Sequence, residues 1–80
     1  MTSRLNRTTK SLSYYMRVQD VVLSFIKDHP GVTLPGIFRS LGIDPHDICH
    51  VVLGLEEKAL IVSHVDQPEY GIIRTTYYPA

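Results

Sequence analysis

The sequence predicts an α+β fold, mainly α, in which three helices are followed by a two-stranded β-hairpin. Two observations lead to this prediction. Apolar residues recur at spacings of three and four as far as Lys58, which places them along one face of each helix. Beyond Lys58 the chain is rich in β-branched and aromatic residues, in two runs that turn-forming residues separate.

The first helix is predicted to begin at about Leu12 and to end near His29. Pro30 disfavours helical geometry in the residue before it, and Gly31 interrupts any continuation. The helical spacing gives this helix a buried face made of Tyr15, Val18, Val22, Phe25 and Ile26.

Two further helices are each marked by a capping residue and a proline in the first turn. Thr33 is the predicted N-cap of a helix over Leu34 to Leu41 that ends at Gly42. Asp44 is the predicted N-cap of a helix over Pro45 to Lys58. Their expected buried side chains are Ile37, Phe38, Leu41, Ile48, Val52 and Leu55. Two helices joined by a short Gly turn have the layout of a helix-turn-helix.

The predicted hairpin has strands at Leu60 to Val65 and Ile72 to Tyr78, joined by a loop over Asp66 to Gly71. The segment LEEKALI, Leu55 to Ile61, resembles the Leu-Glu-Glu-Lys-Gly-Leu-Ile junction of many winged helix-turn-helix proteins, at which the recognition helix meets the β-wing. Together with the helices, the turn and the hairpin in this order, residues 14–78 resemble the winged helix-turn-helix superfamily.

The resemblance implies a role for each segment. Leu34 to Leu41 becomes the supporting helix, Pro45 to Lys58 the recognition helix and Asp66 to Gly71 the tip of the wing. The superfamily includes transcription regulators and pure protein-interaction modules, so the fold alone leaves both functions open.

Charge is unevenly distributed along a chain whose formal net charge is zero. Residues 1–40 balance at +4 and residues 41–80 at −4. The first 17 residues hold four basic and no acidic side chains, namely Arg4, Arg7, Lys10 and Arg17. We therefore expect residues 1–12 to form a basic, flexible arm that contacts nucleic acid, and residues 13–80 to form the domain. A solvated tail without a partner is the alternative for the arm.

The resemblance implies a small transcriptional regulator that binds double-stranded DNA. The outward side of the third helix is expected to present His46, Asp47, Cys49, His50 and Leu53 to the major groove. Asp47 would be repelled by phosphate, and no basic residue precedes Lys58 in this helix. The residues expected to contact DNA are Arg4, Arg7, Lys10, Thr33, Arg39, Ser40, His46, Cys49, His50 and Arg74. Such regulators commonly dimerise, so a homodimer through the first helix or the arm is expected.

The alternative function is a protein-interaction module that does not bind DNA. In that case the helix over 45–58 and the wing bind a partner protein, with Val51 and Leu53 forming a second apolar side of the helix. Exposed Tyr70, Tyr77 and Tyr78 would suit such an interface, because aromatic side chains often anchor binding. The competing interpretation is that these tyrosines complete a small core.

No enzymatic activity, cofactor or metal is expected. The sequence has no Gly-rich phosphate loop, no paired catalytic carboxylates and no nucleophile with a base partner. His46 and His50 have the spacing of a helical zinc pair, but a third ligand would have to be Cys49 or the remote His64. A regulatory metal site is the alternative to ordinary solvent-facing histidines.

The sequence also excludes a disulfide scaffold and predicts a soluble, cytoplasmic protein. Cys49 is the only cysteine and has no internal partner. No apolar run approaches the roughly 20 residues that span a bilayer, and the first residues lack the apolar segment of a secretory signal.

Overall fold

The computed structural model describes residues 11–80, which form an α+β architecture of three helices and one antiparallel sheet. The elements in chain order are α1 Leu12–Asp28, β1 Val32–Thr33, α2 Leu34–Leu41, α3 Pro45–Glu57, β2 Ile61–Asp66 and β3 Arg74–Pro79. The three helix predictions are confirmed to within a residue at each end. Arg4, Arg7 and Lys10 of the predicted arm lie outside the described residues.

Each helix begins at a residue whose side chain caps it. Ser11, Thr33 and Asp44 accept hydrogen bonds from backbone N–H groups two or three residues further along, at 3.1, 3.2 and 2.8 Å. The predicted N-caps Thr33 and Asp44 are confirmed. Gly42 ends α2 in the left-handed conformation, with φ of 66°, as the Gly turn predicts.

The predicted hairpin is present as β2 and β3, but the sheet has three strands instead of two, because β1 joins it. β3 is central, and the short strand β1 pairs with the edge of β3 that β2 leaves free. The pairing of β2 with β3 extends from Ile61 opposite Pro79 to Asp66 opposite Arg74. In the pairing of β1 with β3, Val32 lies opposite Tyr77 and Thr33 opposite Thr76. The hairpin strands also lie one or two residues further along the chain than predicted. Ile72 and Ile73 consequently belong to the loop.

The core lies between the helices and the sheet. Its buried apolar side chains are Val18, Val22, Ile26, Ile37, Ile48, Val51, Val52, Leu55, Ile61 and Tyr77. Tyr15, Phe25, Phe38 and Leu41, predicted in the core, are half-buried and pack against it. The prediction that Val51 and Tyr77 are exposed at a protein interface is wrong, because their side chains are only 5% and 7% exposed. Full burial of a valine, leucine or isoleucine side chain stabilises the fold by roughly 1.5–3 kcal/mol.

Helix α3 ends in a Schellman motif at the junction that resembles the winged-helix pattern. The N–H of Leu60 donates to the carbonyl of Leu55 at 3.0 Å, and the N–H of Ala59 donates to that of Glu56 at 2.9 Å. Ala59 has φ of 60°, the left-handed conformation that the motif requires. The winged-helix pattern has glycine at this position. The Cβ of Ala59 therefore strains a turn that glycine would make freely.

Replacing Ala59 with glycine should stabilise the protein by roughly 0.5–1 kcal/mol. Relief of the left-handed strain exceeds the extra entropy that glycine gives the unfolded chain. Gly42→Ala is the matched control: its φ of 66° is similar and its Cβ would meet no atom within 4 Å, so it should destabilise by a similar amount. Urea unfolding measures both. A destabilised Ala59→Gly variant would contradict the account of this turn.

Candidate nucleic-acid interface

Four exposed side chains form a stripe along the outward face of α3; Pro45 and Glu57, at the two ends of the helix, are also exposed. The four residues of the stripe, His46, Cys49, His50 and Leu53, are all exposed and recur at helical spacing; we call them the α3 stripe. The stripe contains three of the residues predicted to contact DNA. Leu53, at 61% exposure, is its apolar member.

Asp47 does not belong to this stripe, so the prediction that it faces outward is wrong. Its side chain is only 4% exposed and lies between α3 and α1. The hydroxyl of Tyr14 donates to its Oδ2 at 2.8 Å, and the hydroxyl of Tyr15 lies 3.4 Å from its Oδ1. Asp47 also lies in the first turn of α3, where the N-terminal end of the helix dipole favours negative charge. These groups replace the water that the carboxyl group loses on burial.

The sequence contains a signal for this burial. Asp47 precedes Val51 by four residues and Leu55 by eight, a spacing that places all three on the same face of a helix. Two consecutive tyrosines at the start of α1 supply hydroxyl groups that can accompany an apolar ring into an interface. Polarity alone points Asp47 outward, whereas spacing points it inward.

Tyr15 also contacts the α3 stripe. Its ring lies against the ring of His50, with centroids 5.1 Å apart and planes inclined by 59°. The hydroxyl of the same side chain points to Asp47. Tyr15 thus links a buried carboxyl group to an exposed histidine, and it restricts the orientation of the His50 ring.

A second surface lies beside the sheet. Thr33, Arg39 and Arg74, all predicted to contact DNA, line one groove of about 750 Å³ between α2 and the start of β3; we call it the α2–β3 groove. The side chains of Ile72 and Ile73 form part of its wall. Ser40 is exposed on α2 but does not line this groove. The structure therefore divides the predicted residues of the domain between the α3 stripe, the groove and Ser40.

Two further features limit the chemistry of these surfaces. Residues 11–80 contain five basic and eight acidic side chains, so the described part of the chain has a net charge of −3 with histidine neutral. Within that part, no three His, Cys, Asp or Glu side chains are placed to hold a metal ion together. A site made by His46 and His50 with Cys49 or His64 is therefore not assembled.

No family model, curated protein or solved structure matches this chain. Among residues 11–80, no helix combines the length and the apolar character that crossing a membrane requires.

Tyr14→Phe should destabilise the protein by roughly 1.5–3 kcal/mol, because it removes a hydrogen bond donor from a buried carboxyl group. Tyr15→Phe should cost less, since its hydroxyl is 3.4 Å from the carboxyl oxygen instead of 2.8 Å. Urea unfolding at neutral pH compares the two variants. Equal stability of Tyr14→Phe and the unaltered protein would show that the Tyr14 contact contributes nothing.

The stability of the protein should fall as pH rises above 10. Burial raises the pKa of Tyr77 from 10.0, and Glu56 and Cys49 raise it further through their charges. As pH rises through this range, Tyr77 ionises in the unfolded chain before it ionises in the folded protein. The stability that neutral Tyr77 contributes is therefore complete below pH 10 and is lost as pH passes through the raised pKa. Tyr77→Phe should lose less unfolding free energy between pH 9 and 11 than the unaltered protein. Tyr70→Phe, at a position 86% exposed, should lose as much unfolding free energy over this range as the unaltered protein does. Identical losses in all three proteins would contradict this assignment.

Proposed function

We propose that this chain is a winged helix-turn-helix protein that binds double-stranded DNA as a small transcriptional regulator. The order of its elements supports the proposal: two helices joined by a short Gly turn are followed directly by a β-hairpin. In this arrangement α2 is the supporting helix, α3 the recognition helix and the β2–β3 hairpin the wing.

The observation that favours DNA most is the inward position of Asp47. It is the only acidic residue between Pro45 and Gly54, and its burial leaves the α3 stripe without a negative charge. Phosphate repulsion is therefore reduced along the first turns of the helix that would enter the major groove, although Glu57 stays exposed at its end. His46 and His50 can each donate a hydrogen bond to base edges or phosphate oxygens.

Positive charge for phosphate contacts comes from elsewhere in the chain. Arg39 and Arg74 share the α2–β3 groove, which flanks the supporting helix and the wing. Because residues 11–80 have a net charge of −3, these two side chains cannot by themselves make the domain attractive to DNA. The proposal therefore assigns the remaining phosphate contacts to Arg4, Arg7 and Lys10.

The proposal includes a homodimer formed through α1. Leu12 and Met16 lie one helical turn apart and are 75% and 57% exposed. Burying both against the same residues of a second copy would remove this apolar surface from water. A symmetric dimer would present two α3 stripes to two half-sites.

Fluorescence anisotropy with labelled random-sequence duplex DNA tests DNA binding. We expect micromolar or tighter binding at low salt, with affinity falling steeply as salt increases. Changing Arg4, Arg7 and Lys10 together to alanine should reduce the salt slope by about 3, since each phosphate contact contributes about 0.9.

A matched control removes three positive charges from the described domain. Changing Arg17, Lys27 and Lys58 to alanine alters the net charge equally but touches no residue assigned to DNA. This variant should keep a steeper salt slope than the arm variant. Absence of binding at low salt, or equal slopes in the two variants, would contradict the DNA proposal.

A second function, recognition of a partner protein, is favoured by the apolar surface around α3 and the hairpin. Leu53 is 61% exposed, Val65 54% and Tyr70 86%. Such side chains supply the buried centre of a protein interface. Leu53→Ala discriminates the two functions: it removes apolar surface without adding charge, so it should weaken partner binding strongly and leave the salt-dependent DNA binding nearly unchanged.

A further inference from the structure

We propose that the α2–β3 groove binds a small organic anion with an apolar body, such as a medium-chain carboxylate. The groove volume of about 750 Å³ lies within the range of small-molecule sites, which is roughly 300–1,000 Å³. Its lining combines two arginines with large apolar side chains and contains no acidic residue. This composition matches a ligand that is negative at one end and apolar at the other.

The arginines are available for an anion. No hydrogen bond or ion pair joins the guanidinium group of Arg39 or Arg74 to another residue in the described range 11–80. Guanidinium groups bind carboxylates and phosphates through two parallel hydrogen bonds. Thr33 adds a hydroxyl that accepts from the N–H of Gly36 and can still donate its own proton into the groove. The head of the ligand is therefore expected between Arg39, Arg74 and Thr33.

The apolar half of the groove explains two exposed isoleucines. Ile72 is 87% exposed and Ile73 58%, although both are large hydrophobic side chains in one loop. Leu34 and Pro35 of α2 line the same groove. An alkyl chain lying between the loop and α2 would remove this surface from water, which favours binding in proportion to the apolar area covered.

Asp66 allows the contribution of positive charge at Arg74 to anion binding to be tested. It lies directly opposite Arg74 in the β2–β3 ladder, so the two side chains project from the same face of the sheet. Asp66 does not line the groove, but its carboxylate lowers the positive potential at Arg74. Asp66→Asn should therefore strengthen anion binding, whereas Arg74→Gln should weaken it.

Titration of the full chain with octanoate, followed by amide NMR spectra, tests the site in the absence of DNA. We expect shift changes concentrated at Arg39, Ile73 and Arg74. Arg39→Gln and Arg74→Gln should each lower the affinity by about fivefold or more, with partial recovery in the lysine variants. The matched control Arg17→Gln, at an exposed position of α1, should bind octanoate as tightly as the unaltered protein does.

Three further ligands separate the two halves of the site. Octylamine and 1-octanol keep the alkyl chain without the negative charge, and acetate keeps the charge without the chain. Each should bind much more weakly than octanoate. If 1-octanol binds as tightly as octanoate, the groove recognises only the apolar chain. If acetate binds as tightly, the groove recognises only the charge. Either result overturns the proposal.

Ile72→Ser tests the apolar wall, with Val62→Ser, at an exposed apolar position of β2, as the control. Only Ile72→Ser should weaken octanoate binding. If Ile72→Ser instead lowers the mass of the protein in solution, the groove is covered by a second copy and the proposal is wrong. Because these measurements use free protein, their outcome is independent of whether the chain binds DNA.

Discussion

The packing of α3 against α1 determines which of its side chains reach solvent. Ile48 and Leu55 of α3 are fully buried, as are Val22 and Ile26 of α1. Because successive helical residues are rotated by about 100°, burying these positions sets the rotation of the whole helix. The exposed stripe and the inward position of Asp47 both follow from that rotation. The exposed surface of α3 is therefore a consequence of the core.

Sequence periodicity predicts this packing well, whereas the polarity of Asp47 gives it the wrong position. The helix limits follow from local signals, namely the capping side chains of Thr33 and Asp44 and the glycine after α2. Asp47 differs because its environment depends on Tyr14 and Tyr15, more than 30 residues earlier in the chain. A buried carboxyl group is stabilised by partners that one-dimensional patterns do not bring together. Its burial reduces the predicted repulsion of phosphate by α3.

The sheet shows the same division between local and distant determinants. β-branched and aromatic residues predict β2 and β3, which are adjacent in sequence. β1 consists of only Val32 and Thr33, and it becomes a strand through pairing with Tyr77 and Thr76. The α2–β3 groove depends on this pairing, because it brings the start of α2 beside β3. The sequence marks Arg39 and Arg74 as site residues, but it does not show that they line one groove.

Cys49 allows the central claim, that the α3 stripe is the DNA-contacting surface, to be tested at one position. It is the only cysteine of the chain and is exposed in the middle of the stripe. The measurement is the rate of Cys49 alkylation by neutral iodoacetamide at low salt, with and without saturating duplex DNA, and with free cysteine as a reference. The account predicts that DNA slows alkylation of Cys49 but not of free cysteine. Bound DNA that leaves the rate unchanged would place the DNA-contacting surface elsewhere on the protein.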